Sequence, residues 1–339
     1  MVEVVGVILL VVLTLYAILA GADFGGGLWD LLAGGDSTGR APRRLIDDTI
    51  TPVWESNHVW LIFALVILWT AFPRAFAAVM TACALPLWLA VLGIVLRGTG
   101  FAFRKEVEGI RWQRLLGATF AFSSLLTPFF MGTVVGAVAA GRVALHAEHS
   151  TLTVWTSPTS ILVGCLFVAV CAYEASVFLI SEAANREDRR LERYFRHRAV
   201  IAGTVAGALS LATLFELRSS DALLYHRLTG RALPLVVLAG ACGVAVIVLV
   251  LAGRSRGLRV LSGAGAAAVI WGWGVAQYPT LLPGTGLTLS DGSAPHATFV
   301  TLAAVFILAL VLVVPGFLLL FWLQGRQLLE SDDPPTMSR

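Results

Sequence analysis

This sequence predicts an all-α integral membrane protein, and three observations carry that expectation. Of its 339 residues, 58% are hydrophobic and only 13% charged, whereas soluble globular chains sit near about 45–50% apolar and about 25% charged. The apolar residues fall into runs long enough to cross a bilayer, for which about 20 helical residues suffice. The short alternating strands of a membrane β-barrel are not seen, and a helix can pair its own backbone N–H and C=O groups in lipid. A net charge of +3 offers no footprint for nucleic acid. Cys83, Cys165, Cys171 and Cys242 lie far apart in apolar runs, with no CxxC pair, which excludes a disulfide scaffold.

The first span, roughly 3–32, opens MVEVVGVILLVVLTLYAILAG. Glu3 stands where a signal peptide carries basic residues, and the run is too long for a signal core, so a retained helix is expected. Further spans are expected at roughly 52–72, 76–97, 114–139, 157–181, 199–217, 233–252, 259–277 and 298–323, nine in all. The organisation follows as one polytopic membrane domain over 1–325, with helices 1–4 in about 1–140, helices 5–8 in about 155–278 and helix 9 in about 298–323. Residues 326–339 form a polar tail. Nineteen of the 24 Lys and Arg then fall on one side, and Arg74, Arg142, Arg218, Arg227 and Arg231 on the other. The positive-inside rule puts the N-terminus outside and the C-terminus in the cytoplasm. The run SEAANREDRRLERYFRHR on the basic side is expected to be a solvated loop or a short interfacial helix. The loops are too short to hold a soluble active-site domain, so any chemistry must occur within the membrane.

An ionisable group near the bilayer centre costs about 2.5–3.5 kcal/mol on insertion scales, so each one needs a partner, a wet cavity or a function. Asp23 lies late in the first span within GADFGGGLWD, where small residues let a neighbouring backbone approach. Asp30 follows on the same face, about 10.5 Å nearer the basic side. The second span enters as TPVWESNHVWLIF, placing Glu55 about a turn inside and His58 above it at i+3. These four groups form a ladder in the cytoplasmic half of two consecutive helices. Buried carboxylates and an imidazole are the groups that can pass protons inward there. A Glu55–His58 contact that merely locks two helices is the bland alternative. For Asp30 it is a solvated boundary carboxylate. Glu174, in VAVCAYEASVFLI, could extend the path or hydrogen-bond within the bundle. Trp54 and Trp60 flank the ladder.

His58 is the one histidine clearly inside a span, and nothing in the sequence sets Met80 or Met131 opposite it as a second heme ligand. His146 and His149 in HAEH lack further metal ligands nearby. Nucleotide-binding and hydrolase motifs are missing.

At GADFGGGLWD, PVWESNHVWLIF, WTAFPRAFAA and RGTGFAFR, the sequence resembles subunit II of cytochrome bd-type terminal oxidases, strongly through about residue 115. The resemblance implies two four-helix bundles plus one peripheral helix. It also implies a heterodimer with a larger subunit I that holds hemes b and d, oxidises quinol and reduces O₂ to water. No cofactor is then bound by this chain itself. By motif, Asp23 and Gly25 fall in the first-span G-x-D-x-G pattern. Glu55, with Trp54, Asn57 and Trp60, falls in W-[DE]-x-N-x-V-W, and the family's acids at these positions deliver protons from the cytoplasm. His58 departs from the frequent Gln or Glu, and Ala102 stands where many members have an acid. The implied location is the bacterial or archaeal cytoplasmic membrane. The implied partners are subunit I, membrane lipid and quinol, with a structural quinone and a small accessory subunit left open. A proton-coupled transporter with a midplane site in the Gly-broken first helix and a purely structural membrane subunit are the competing readings.

Overall fold

The computed structural model describes residues 1–35, 38–104, 110–146 and 151–325, without the side chains of 50–56, 101–102, 104, 110–115 and several positions beyond 312. The helix α1 (Val2–Leu31) is apolar along its length, and every residue from Ala20 to Gly27 is buried. A helix apolar on all sides packs against several neighbours at once. Here those neighbours are α2 (Arg40–Ala71), α5 (Ile110–Ala139), α7 (Pro158–Asn185), α11 (Leu258–Gln277) and α12 (His296–Gly325). Between them run α3 (Pro73–Ala82), α4 (Ala84–Arg104), α6 (Leu152–Trp155), α8 (Arg189–Ser220), α9 (Ala222–Thr229) and α10 (Leu233–Leu251). Helix α4 lies along α5, α7 along α8 and α10 along α11.

Local sequence explains where these helices begin and end. Pro42 sits in the first turn of α2, where its missing N–H costs nothing. The buried Leu45 and Ile46 tie this early stretch to the core, so α2 starts well before the expected residue 52. It stops at Phe72 because Pro73 disfavours helical geometry in the preceding residue. Pro73 then opens α3 at a bend of 116° to residues 57–71. The span expected at 76–97 is not one helix, since the chain breaks at Cys83 between α3 and α4. The physical reason is Pro86, whose ring would clash with the Ala82 carbonyl in a continuous helix. Ser157 caps α7 by accepting from Ser160 N at 3.1 Å, and Asp188 caps α8 by accepting from Arg190 N and Leu191 N.

The charged run after α7 is also corrected. From Arg189 it forms the opening turns of the long helix α8 rather than a loop or separate short helix. Its Arg196 donates to the carbonyls of Val250 at 2.8 Å, Gly253 at 2.9 Å and Arg254 at 3.2 Å, which cap the end of α10. Nearby, Arg186 joins Asp48 at 2.9 Å and Glu182 at 3.2 Å, linking the start of α2 to the end of α7. The helices are joined by one small departure from the all-α expectation. Strands β1 (Thr280–Leu282) and β2 (Leu287–Thr288) form an antiparallel hairpin ahead of α12.

Among the described residues, six helices are long and apolar enough to cross a membrane, and the bent α2–α3 pair makes a seventh. The described apolar parts of α4 and α12, Ala84–Gly100 and His296–Leu312, are shorter. The protein is therefore a multi-pass membrane protein built almost wholly of helices.

Candidate functional site

Two glycines of GADFGGGLWD decide how the site assembles. A Cβ on Gly25 would collide with the Cys171 carbonyl and would lie 2.7 Å from Ala175 Cβ. A Cβ on Gly27 would collide with Ser124 Oγ and approach Arg97 Nη1 to 3.0 Å. Absence of side chains here lets α1 seat against α7 on one face and α5 on another. Two residues before Gly25 on the same helix, Asp23 is 0% exposed.

The Asp23 carboxylate is held by a buried arginine. Arg97 Nη2 donates to Asp23 Oδ1 and also, at 2.8 Å, to the Asp23 carbonyl, while its Nη1 donates to Ser124 Oγ. The guanidinium lies over the Phe120 ring, 4.4 Å from its centroid, and near the Phe24 ring at 5.1 Å. Asn57 Nδ2 completes the node by donating to Asp23 Oδ2 at 3.1 Å. Ser124 Oγ in turn donates a hydrogen bond to the Phe120 carbonyl at 2.6 Å. Four helices, α1, α2, α4 and α5, thus meet at the Asp23–Arg97 pair. A charge removed from water needs such a partner with further hydrogen bonds to be tolerated.

Arg97 closes the third expected span, 76–97, and the structure places it deep inside the protein. It is 1% exposed and lies within α4. Its setting, LGIVL before and the uncharged GTGFAF after, was the available signal. Ser124 and Ser262 carried no signal beyond being hydroxyls within apolar runs.

The remaining site residues occupy neighbouring positions. Glu174 is buried on α7, with Ser262 of α11 donating to its Oε2 at 2.6 Å. Its Cβ and Cγ lie where a Cβ on Gly21 would come within 3.4 Å, so Glu174 packs on α1 two residues before Asp23. Six residues beyond Asp23 on α1, Trp29 Nε1 donates to the Ala172 carbonyl at 2.8 Å. Asp30, also buried, pairs with Arg43 Nε at 3.1 Å, and Arg43 donates onward to the Gly34 carbonyl at 2.6 Å. A carboxylate in the last turn opposes the helix dipole, and Arg43 offsets it. Asp30 is therefore not the solvated boundary residue of the bland alternative. His58 is half-buried on α2, adjacent to Asn57, and Trp60 is buried. The side chains of Trp54, Glu55 and Ala102 lie outside the described residues, although all three belong to helices. His146 is exposed, and His149 also lies outside the described residues. Among the described residues no three His, Cys, Asp or Glu side chains cluster as metal ligands would.

Two further features are chemical in character. Asn57 Oδ1 and Arg97 Nε are buried and have no hydrogen-bond partner among the described residues. An acceptor and a donor are thereby left beside the same carboxylate, in the manner of groups that bind internal water.

Comparison with known proteins gives a consistent picture. The model of the family described as cytochrome bd terminal oxidase subunit II matches residues 1–324. The chain is 24% identical over 271 residues to cytochrome bd ubiquinol oxidase subunit 2 of Bacillus subtilis, covering 78% of this chain and 76% of that one. It is 29% identical over 121 residues to cytochrome bd-I ubiquinol oxidase subunit 2 of Escherichia coli K12, covering 36% of this chain and 31% of the relative. The fold is similar to that in the structure of bd oxidase from Geobacillus thermodenitrificans, with a TM-score of 0.75 at 24% identity, over 95% of this chain and 98% of that one.

Proposed function

Because this chain belongs to the family of cytochrome bd terminal oxidase subunit II, we propose that it is the non-heme subunit of a quinol-oxidising complex that reduces O₂ to water. In this reading it scaffolds a heme-bearing subunit I, which carries hemes b and d, and it lines a proton route from the cytoplasm. The chain crosses the bacterial or archaeal cytoplasmic membrane nine times as two four-helix bundles and a peripheral helix. Its N-terminus is outside and its C-terminus in the cytoplasm.

The observation that carries the proton route is the Asn57–Asp23 hydrogen bond. It joins the W-E-x-N-x-V-W segment of α2 to the GADFGGG segment of α1, so the residues of both motifs form one polar node inside an apolar bundle. Asn57 Oδ1 and Arg97 Nε supply an acceptor and a donor at that node. Glu55 and His58, three residues apart on α2, supply titratable groups in the same helical segment as Asn57. Asp30 with Arg43 stands at the basic end of α1, and Glu174 with Ser262 extends the polar line toward α11.

Asp23, held by Arg97 and Asn57, and Asp30, held by Arg43, line this route together with Glu55, His58 and Glu174. The family membership favours this reading over a proton-coupled transporter.

Affinity isolation of the chain from its native membrane tests the proposal. The expected result is a second, larger multi-pass chain, a heme absorption spectrum and quinol-dependent O₂ consumption. A heme-free isolate without O₂ consumption would overturn it.

A further inference from the structure

Helix α8 presents one outward face with two chemistries. Its first turns bury Leu191, Phe195 and Ala199, and the opposite face carries Arg189, Arg190, Arg193 and His197, all exposed. Farther along, the same face continues as Ile201, Leu211 and Phe215, the last of them 68% exposed. Only four residues, about 6 Å along the axis, separate His197 from Ile201. On a multi-pass membrane protein an exposed apolar helix face lies against acyl chains, and cations at its end reach the depth of the lipid phosphates.

A second element brings the same pattern to the same place. The bonds from Arg196 to the carbonyls of Val250, Gly253 and Arg254 seat the α10–α11 turn against the second turn of α8. Seven residues on along α8, a Cβ on Gly203 would lie 3.6 Å from Ile247, so the two helices run antiparallel. Helix α10 exposes Val244, Val248 and Leu251, the last of them 71% exposed, and the turn that follows exposes Arg254 and Arg256. Apolar outer surface thus gives way to arginine at the same end of both helices.

These charges are not cancelled within the chain. Among the described residues none of Arg189, Arg190, Arg193, Arg254 and Arg256 forms an ion pair. The acids nearby are engaged otherwise: Asp188 caps α8, Glu192 holds Arg196, and Glu182 holds Arg186 and Arg259. Glu187 is the one exposed acid of this stretch without an ion pair among the described residues. We propose that this rim, made by the start of α8 and the α10–α11 turn, binds the phosphates of anionic phospholipids in the bordering leaflet, with their acyl chains along the exposed faces of α8 and α10. A zwitterionic head group brings its own ammonium and gains less from uncompensated guanidinium groups. An acidic soluble protein would match the charge but not the apolar faces that continue from it. The proposal is independent of the proton route.

The test places the complete complex, as isolated from its membrane, in bilayers of equal parts phosphatidylglycerol and phosphatidylcholine, extracts it in mild detergent and counts retained lipids by native mass spectrometry. Wild type is compared with the double variant Arg193→Gln with Arg254→Gln. A second double variant, Arg142→Gln with Arg218→Gln, removes the same charge from exposed positions assigned to the other side. Arg193→Lys with Arg254→Lys keeps the charge, and thermal unfolding of each form controls for folding. The expected result is an excess of the glycerol lipid of about threefold in the wild type and the lysine variant. At least half of that excess should be lost in the first glutamine variant and none in the second. Equal retention of the two lipids, an undiminished excess in Arg193→Gln with Arg254→Gln, or equal losses in both glutamine variants would each overturn the assignment. Loss of a co-purifying acidic chain with lipid retention unchanged would overturn it too, giving the rim to a protein.

Discussion

Arg97, more than one turn from the end of α4, donates a charged hydrogen bond to Asp23 of α1 in a setting where the arginine is 1% and the aspartate 0% exposed. Breaking such a pair by removing one partner leaves an uncompensated buried charge and costs about 3–5 kcal/mol, whereas removing both is far milder. Arg97→Leu is therefore expected to reduce the yield and thermal stability of the assembled complex sharply. The double variant Arg97→Leu with Asp23→Leu should recover more than half of that loss. A thermal-unfolding double-mutant cycle checks this, and additive losses would contradict it.

Gly25 offers a purely steric prediction. Its Cβ would meet the Cys171 carbonyl and Ala175, so Gly25→Ala must push α1 away from α7. Overpacking of this kind costs about 1–3 kcal/mol. The control is Gly35→Ala, since a Cβ there has nothing within 4 Å among the described residues. Complex recovered per milligram of membrane should fall for the first substitution and stay unchanged for the second.

Glu174 separates proton transfer from packing. Glu174→Gln keeps an amide oxygen to accept from Ser262, so assembly and heme spectrum should be preserved, whereas Glu174→Leu removes the acceptor of a buried hydroxyl and costs about 1–3 kcal/mol. If Glu174 extends the proton line, the glutamine variant consumes O₂ several-fold more slowly with unchanged stability. Wild-type turnover in Glu174→Gln would leave the residue a helix tie alone.

Much of this architecture could be read from the residues, because lipid leaves the chain few choices. Long apolar runs had to be helices, and the glycines beside Asp23 announced a close backbone approach that Gly25 and Gly27 make on two different sides. What escaped reading depended on contacts between distant segments. Pro86 breaks the third expected span at Cys83, a local rule that apolar content conceals. Arg97 ends an expected apolar span, and only its approach to Asp23, 74 positions away in the chain, shows that its charge belongs inside. Arg196 likewise fits a solvated charged run until the end of α10 is seen to need its donors.

The most direct test of the proton route is steady-state quinol-driven O₂ consumption by the purified complex carrying Glu55→Gln, with its heme absorption spectrum recorded alongside. The account expects wild-type heme content and turnover at least tenfold slower, because the amide preserves shape and hydrogen bonding yet cannot release a proton. Undiminished turnover with the same heme content would contradict it.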